Sequence, residues 1–174
     1  TYDGGFYRYA SERNWGGAVR EKLTDENAAL LRAFAHGYRY TGEESYRETA
    51  AGTVEYLTTD LWTGEGFAAS QGGDEEYYRM ETTDREDADT PPVDDTVFAD
   101  RNGLAIDALL TYAAYTDDER ATRYARRARE HVVETLVADG RVAHYDDPDA
   151  PSGLLTDQAR VLAGLTTAWQ VLGE

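Results

Sequence analysis

Cysteine is absent from the chain's 174 residues. That excludes a disulfide framework, a thiolate metal site and a thiol nucleophile. Lysine is nearly absent as well: Lys22 is the single one, and every other basic side chain is arginine. No apolar run approaches the roughly 20 residues that a membrane-spanning helix requires. Basic charge is scarce overall, with 17 Lys and Arg against 34 Asp and Glu, for a net charge of −17. A surface this negative repels phosphate backbones and anionic lipid heads, so neither nucleic acid nor a membrane is an expected partner.

Hydrophobic residues nevertheless make up 41% of the chain, too many for a disordered acidic tail and enough for the core of one domain. Acid excess with lysine replaced by arginine is the surface composition of proteins that work in molar salt. Dense cation screening there shortens the Debye length to a few ångströms and makes self-repulsion tolerable. A haloarchaeal cytoplasm is therefore the expected setting, with an ordinary acidic mesophilic protein as the alternative. On this reading the charge describes the solvent, not the substrate.

The sequence repeats itself. Residues 25–60 and 100–135 align without gaps at an offset of 75, matching Asp25 to Asp100, Asn27 to Asn102, Ala33 to Ala108 and Tyr40 to Tyr115. A third, partial copy begins at Gln158-Ala159, aligned with Asn27-Ala28 and Asn102-Gly103, and runs to Leu172-Gly173-Glu174. Thr41-Gly42-Glu43-Glu44 and Thr116-Asp117-Asp118-Glu119 read as capping boxes, each opening a second helix. Each unit is then a helical hairpin, with bounds near residues 24–62 and 97–137 and a half hairpin near 154–172. Gly4-Gly5-Phe6 echoes Glu65-Gly66-Phe67 and Gly140-Arg141-Val142, the turns that follow the second helices. Both ends of the chain fall inside a repeat, so a longer parent array is expected.

In the first helix of each hairpin, apolar residues wrap most of the circumference. Leu104 to Ala114 does so in one copy, and Val161, Leu162, Leu165, Ala168 and Trp169 in another. Such helices are expected to be buried all round. The second helices are one-sided: Tyr46, Ala50, Val54, Leu57 and Leu61 form one stripe, and Ala121, Ala125, Ala128, Val132 and Leu136 the other. Buried helices alternating with half-buried ones predict two concentric layers, an all-α arc of an α/α toroid, with a flat solenoid of helix pairs as the competitor. Short β excursions are expected at residues 5–9, 67–70, 77–80 and 141–145, the middle two pairing across Gly72-Gly73. Residues 82–95, acidic and containing Pro91-Pro92, read as a surface loop.

Gly4-Gly5-Phe6-Tyr7-Arg8-Tyr9, then Arg13-Asn14-Trp15, Glu21-Lys22-Leu23, Asn27-Ala28 and Leu30-Leu31, resemble a known block. It is the G-G-F-x-R-Y … W-x-x-P-H-F-E-K-M-L-x-D-N-A pattern of the spermatogenesis-associated, thioredoxin-domain-containing proteins. Tyr46, Tyr56-Leu57, Gly66-Phe67, Ser70-Gln71, Asp74 and Tyr77-Tyr78 resemble that family's second block, G-G-F-x-S-x-D-A-D … Y-Y. The resemblance covers most of the chain and is most specific over residues 4–80. It implies a thioredoxin-like domain ahead of an (α/α)6 toroid similar to N-acylglucosamine 2-epimerases and six-hairpin glycosidases, this chain being about half of the toroid. One departure matters: the family's P-H-F is Ala18-Val19-Arg20 here. An acid or base step relying on that histidine would be lost or moved.

Arg8, Trp15, Glu21, Lys22 and Asn27 form the sharpest cluster. An aromatic face with a cation, a carboxylate and an amide suits a sugar ring, through apolar stacking and directional hydrogen bonds. The bland alternative is a Glu21–Lys22 pair that fastens a loop to a helix start. Asn27, Asn102 and Gln158 share one repeat position, which favours a capping or inter-helix role over catalysis. Gln71, Asp74, Glu75 and Tyr78 surround a double glycine. Asp74 and Glu21 would supply the two carboxylates of glycoside cleavage, against a solvated turn as the plainer reading. Asp100-Arg101-Asn102 is either a polar set at the funnel or a helix start with charge on the positive dipole end. Of three histidines only His144 falls on a funnel-side strand, where an epimerase would want a proton shuttle.

The candidate catalytic residues are thus Glu21, Asp74 and His144. The candidate binding residues are Arg8, Trp15, Lys22, Asn27, Gln71, Tyr78, Arg101 and Asn102. No spacing matches a transition-metal set, and no cofactor is implied. The reading is the toroid portion of a thioredoxin-domain-containing protein, not catalytic as an isolated piece. A carbohydrate-active isomerase, epimerase or glycoside hydrolase and a helical-repeat interaction scaffold are the alternatives. A sugar-like small molecule, and either the remainder of a parent chain or a second copy, are the expected partners.

Overall fold

Two kinds of helix alternate along the chain in the computed structural model, which describes residues 4–85 and 87–173. Helices α1 (Thr24–Thr41), α4 (Ala99–Thr116) and α6 (Leu155–Leu172) lie side by side as an inner row. Helix α2 (Glu44–Thr59) packs behind α1, and α5 (Glu119–His131) behind α4, with α3 (Thr82–Arg85) a single turn in the acidic segment. A wide π-helical turn, Val132–Leu136, continues α5. No helix among the described residues is long and apolar enough to cross a membrane.

The central helix shows what the pattern of the inner helices is for. Twelve of the eighteen residues of α4 are buried, because α1, α6 and α5 each take one of its faces. Ile106, Leu109 and Leu110 are enclosed; burial of each side chain stabilises by about 1.5–3 kcal/mol. Between α4 and α6 the backbones themselves approach. A Cβ on Gly103 would meet the Arg160 carbonyl oxygen at 2.6 Å, and one on Gly164 the Gly103 oxygen at 2.6 Å. The outer helix α5 buries one stripe, Ala121, Ala125 and Ala128, and α2 buries Ala50, Thr53, Val54 and Leu57, with Tyr56 and Thr58 also covered near its end.

The inner helix α6 departs from the expectation. Only Asp157, Val161, Gly164 and Ala168 are buried, while Leu162 and Trp169 are each 66% exposed. Its sequence is apolar all round, but it has an inner neighbour on one side alone. The capping boxes are also corrected. Thr41 and Thr116 are the last residues of α1 and α4, and Gly42 and Asp117 follow them in the left-handed region, at φ 72 and 57. Gly173 ends α6 the same way, at φ 74. The second helices begin at Glu44 and Glu119 behind the N-cap residues Glu43 and Asp118, and only Asp118 caps with its side chain, accepting from the Ala121 N–H at 2.7 Å. Glu174, with which the expected third turn closes, lies outside the described residues, as does Thr1.

Short strands link the hairpins. Tyr9–Ala10 (β1) pairs antiparallel with Ala18–Val19 (β2). Lys22–Leu23 (β3), Ser70–Gln71 (β4) and Val93–Asp94 (β5) form a three-stranded antiparallel sheet with Lys22 opposite Gln71. Val137–Ala138 (β6) pairs with Arg141–Val142 (β7). Residues 67–70 and 77–80 therefore do not make the expected hairpin. Ser70 and Gln71 pair with strands from either side in the sequence, and Tyr77–Arg79 is a 3-10 turn. The acidic segment is not all loop, since it supplies α3 and the edge strand β5.

One device recurs at the start of every inner helix. The Asn27 side chain accepts from the Phe6 N–H (2.7 Å) and donates to the Phe6 and Leu23 carbonyls (3.3 and 2.8 Å). Asn102 does the same with the Phe67 N–H and carbonyl (2.8 and 2.9 Å) and the Phe98 carbonyl (3.0 Å). Gln158 accepts from the Val142 N–H (2.8 Å) and donates to the Gly140 carbonyl (3.3 Å). Each amide satisfies backbone groups of the segment that runs past the start of its inner helix. Asn102→Ala would orphan two buried backbone groups of Phe67, and at about 1–3 kcal/mol per orphaned group it is expected to lower unfolding free energy in urea by about 2–6 kcal/mol. Gln158→Ala, at a part-exposed clamp, is expected to cost less.

Candidate funnel-mouth site

The N-termini of the three inner helices converge, and each carries acid in its first turn: Asp25 and Glu26 on α1, Asp100 on α4, Asp157 on α6. Carboxylates are favoured there by the helix dipole. Arg160 of α6 crosses to Asp100 at 2.8 Å and Asp25 at 3.8 Å, tying all three helices at one point. About two turns deeper, Asp107 of α4 accepts from Arg32 of α1 (3.1 Å) and Thr167 of α6 (2.5 Å). Asp107 is buried, so the pair holds the row together from inside.

At the rim, Arg8 bonds Glu21 at 3.0 Å and lies 3.9 Å from Glu26. Burial pushes the Glu26 carboxyl above its ordinary range, the Asp25 charge adds to this, and Arg8 opposes it. Asp25 Oδ1 is buried with no hydrogen-bond partner. On the far side His144 Nδ1 lies 3.0 and 3.1 Å from the two Asp157 oxygens. A carboxylate only accepts, so Nδ1 carries the proton, and Nε2 is the nitrogen left to exchange one. Asp157 is 1% exposed, whereas the His144 side chain is 28% exposed.

Asp100, His144 and Asp157 each place a ligand atom within 4.8 Å of the others. Sequence spacing pointed to no such set, because Asp100 and Asp157 lie 44 and 13 residues from His144, on inner helices of different repeats. Both carboxylates are already engaged, Asp100 by Arg160 and Asp157 by His144, so the cluster is balanced internally.

Two of the expected catalytic residues, Glu21 and His144, line this mouth. Asp74 does not join them: its Oδ1 accepts from the Glu76 and Tyr77 N–H groups (2.9 and 3.0 Å) and shapes the exposed turn before the 3-10 segment. Of the expected binding residues, Arg8 is at the rim. Trp15 stands 85% exposed at the tip of the β1–β2 hairpin with φ 65. Arg101 donates to the Ala69 carbonyl at 2.6 Å and stacks 5.0 Å from the Phe98 ring.

Lys22, Asn27, Gln71, Tyr78 and Asn102 are corrected from ligand contacts to interior residues. Asn27 and Asn102 are the clamps described above, both 0% exposed. Lys22 is 1% exposed, its Nζ 4.6, 5.2 and 5.7 Å from the rings of Tyr56, Tyr78 and Tyr7. Gln71 accepts from the Tyr56 and Tyr78 hydroxyls (3.2 and 3.3 Å) and completes this cage. Burial raises the Tyr56 phenol well above its usual range, with Tyr78 next in effect. It therefore stays neutral, and three aromatic faces hold a cation by attraction to their π systems. Sequence reasoning missed Asp157 and Arg160. The signal was there for Asp157, an acid in the first turn of the third inner helix.

This fold is an (α/α)6 toroid architecture, of which the chain forms an arc. It is similar to cellobiose 2-epimerase from Bacillus thermoamylovorans B4167, at TM-score 0.80 and 15% identity, over 100% of this chain and 46% of that one. It is likewise similar to a family 76 glycoside hydrolase from a bovine Bacteroides thetaiotaomicron strain, at TM-score 0.68 and 12% identity, over 90% of this chain and 32% of that one. In sequence, 88 residues are 31% identical to human spermatogenesis-associated protein 20, covering 51% of this chain and 9% of that protein. The chain thus matches a small part of its relative's length. No family model matches it.

Because Glu26 has a raised folded-state pKa, its contribution to stability is present below the unfolded value and lost as pH rises through the folded one. Glu26→Gln is therefore expected to raise the thermal midpoint at pH 7. The gain should vanish below about pH 4, where the carboxyl is protonated in both states. Paired melts of the two proteins across that range check the sign.

Proposed function

We propose that this chain is part of the toroid of a thioredoxin-domain-containing protein similar to spermatogenesis-associated protein 20, and that its mouth binds a carbohydrate-like small molecule. The observation that carries the reading is the convergence of Arg8, Glu21, Arg160 and the His144–Asp157 pair at the N-termini of the inner helices. Opposed charges presenting several donors and acceptors suit a polyhydroxylated ring. The 31% match to the relative and the likeness to sugar-processing toroids support it. By itself the arc surrounds its ligand on one side only, and binding without turnover is its proposed contribution.

A second reading, a carbohydrate isomerase or epimerase, is favoured by the His144–Asp157 pair. Asp157 fixes the tautomer, so His144 Nε2 would act as the base that removes a proton from the carbon beside a sugar carbonyl and returns it. Titration calorimetry with cellobiose and with free monosaccharides separates the readings. Binding that weakens about tenfold or more in Trp15→Ala or Arg8→Ala, without sugar conversion, supports the binding role. Conversion abolished by His144→Ala supports the enzyme. No heat with any sugar removes both.

We further propose that the acidic, lysine-poor surface is an adaptation to molar salt in a haloarchaeal cytoplasm. Its unfolding midpoint is expected to keep rising with KCl into the molar range. Simple screening is largely complete where the Debye length is already about 8 Å, near 0.15 M. A midpoint that stops rising there identifies an ordinary acidic protein.

A further inference from the structure

The segment that leads into α6 returns to the start of α4 and is tied there through its backbone. The Ala99 N–H donates to the His144 carbonyl at 2.8 Å, one residue from Asp100, and the His144 N–H donates to the Pro151 carbonyl at 2.9 Å. The His144 ring packs against Phe98 and Tyr145, with centroids 4.8 and 5.7 Å away. Asp100 is steadied from the other side, because Arg160 of α6 takes its Oδ2 at 2.8 Å. Asp157 stands in the first turn of α6 and is buried. Ligand atoms of Asp100, His144 and Asp157 thereby meet within 4.8 Å of one another. All three come from the α4–α6 pair and the chain between them, inside the arc.

Charge at this point is balanced in number but not in coordination. A carboxylate offers about four lone-pair sites. Among the described residues, Asp157 receives one N–H, which its two oxygens share from His144 Nδ1. Asp100 gives Oδ2 to Arg160 and has Oδ1 left for a further partner. At the same mouth Asp25 Oδ1 is buried with no hydrogen-bond partner. Enclosed carboxylates with so few donors are stabilised by a cation placed among them. The donor set selects that cation: an imidazole nitrogen beside carboxylate oxygens suits zinc, whereas magnesium and calcium take oxygens. Donor atoms on tetrahedral zinc, with bonds of about 2.0 Å, stand about 3.3 Å apart. Nδ1 already lies 3.0 and 3.1 Å from the Asp157 oxygens. Arg160 on Asp100 is the kind of outer partner that orients a metal-binding carboxylate.

We propose that Asp100, His144 Nδ1 and Asp157 bind one divalent transition-metal ion, zinc by the chemistry of the set, with a fourth position on the part-exposed side of His144. The ion takes the place of the Nδ1 proton, which moves to Nε2, so the ring stays neutral and has no free nitrogen. The proposal does not rest on the sugar reading, and it excludes His144 as the base of the isomerase reading. Calorimetry of the metal-stripped 174-residue chain with zinc, without sugar, is expected to show one ion per chain. The thermal midpoint should rise by about 5–10 °C at zinc a hundredfold above Kd. His144→Gln and Asp157→Asn should each weaken uptake about tenfold or more with unchanged far-UV circular dichroism, and His36→Gln and His131→Gln should not weaken it. Cobalt in place of zinc should give the intense visible bands of a four-coordinate ion, which reads the site in the wild type alone. A wild type that takes up no zinc, uptake indifferent to His144→Gln, the weak bands of six-coordinate cobalt, or magnesium bound as tightly as zinc (a diffuse acidic surface) would each overturn the proposal. Zinc uptake without sugar binding would leave it standing and remove the functional reading instead.

Discussion

A side-chain amide at the first turn of each inner helix is the contact on which the architecture turns. Asn27, Asn102 and Gln158 hold the incoming strand by its backbone and so set where the chain enters the inner row. A turn at the end of a hairpin has backbone groups that neither helix nor sheet can serve. Leaving them unpaired in a buried place costs more than any one apolar contact there returns. Once the amide takes them, the next helix is bound to start beside its predecessor. The three N-termini then gather, and everything polar at the funnel mouth follows from that gathering.

The mouth is an arrangement of competing charges. Helix dipoles invite acid into the first turns, and four carboxylates accept the invitation. Arg160 and Arg8 compensate part of that charge and His144 takes another part, while burial, with the Asp25 charge adding to it, keeps the Glu26 pKa raised. The Asp107 bridge to Arg32 and Thr167 lies beneath and is fully used in holding the helices.

Lys22 illustrates how a correct signal can point to the wrong role. A lone lysine in an arginine-rich chain does have a specific reason to be there. The compact ammonium fits among the three tyrosine rings, where a planar guanidinium has a different shape. Sequence could mark the residue but not the direction of its side chain, which depends on the pairing of β3 with β4 from 48 residues away. The same holds for Gln71 and Tyr78, which adjoin a glycine turn in the sequence yet point inward. Asp74 was visible as a carboxylate, and the local turn claimed it.

The layering was legible because hydrophobic periodicity and the offset of 75 are properties of single helices and of their succession. Repeat position likewise assigned Asn27, Asn102 and Gln158 a common structural role before any coordinate. What only tertiary structure decided was proximity between repeats: Arg160 with Asp25, His144 with Asp157, Arg32 with Asp107. Those partners lie on different helices, and nothing in a periodic pattern says how far one helix is rotated against the next. Burial of α6 was decided there too. Its composition is that of a helix enclosed on every side, and enclosure depends on a neighbour that a helix cannot specify from its own residues.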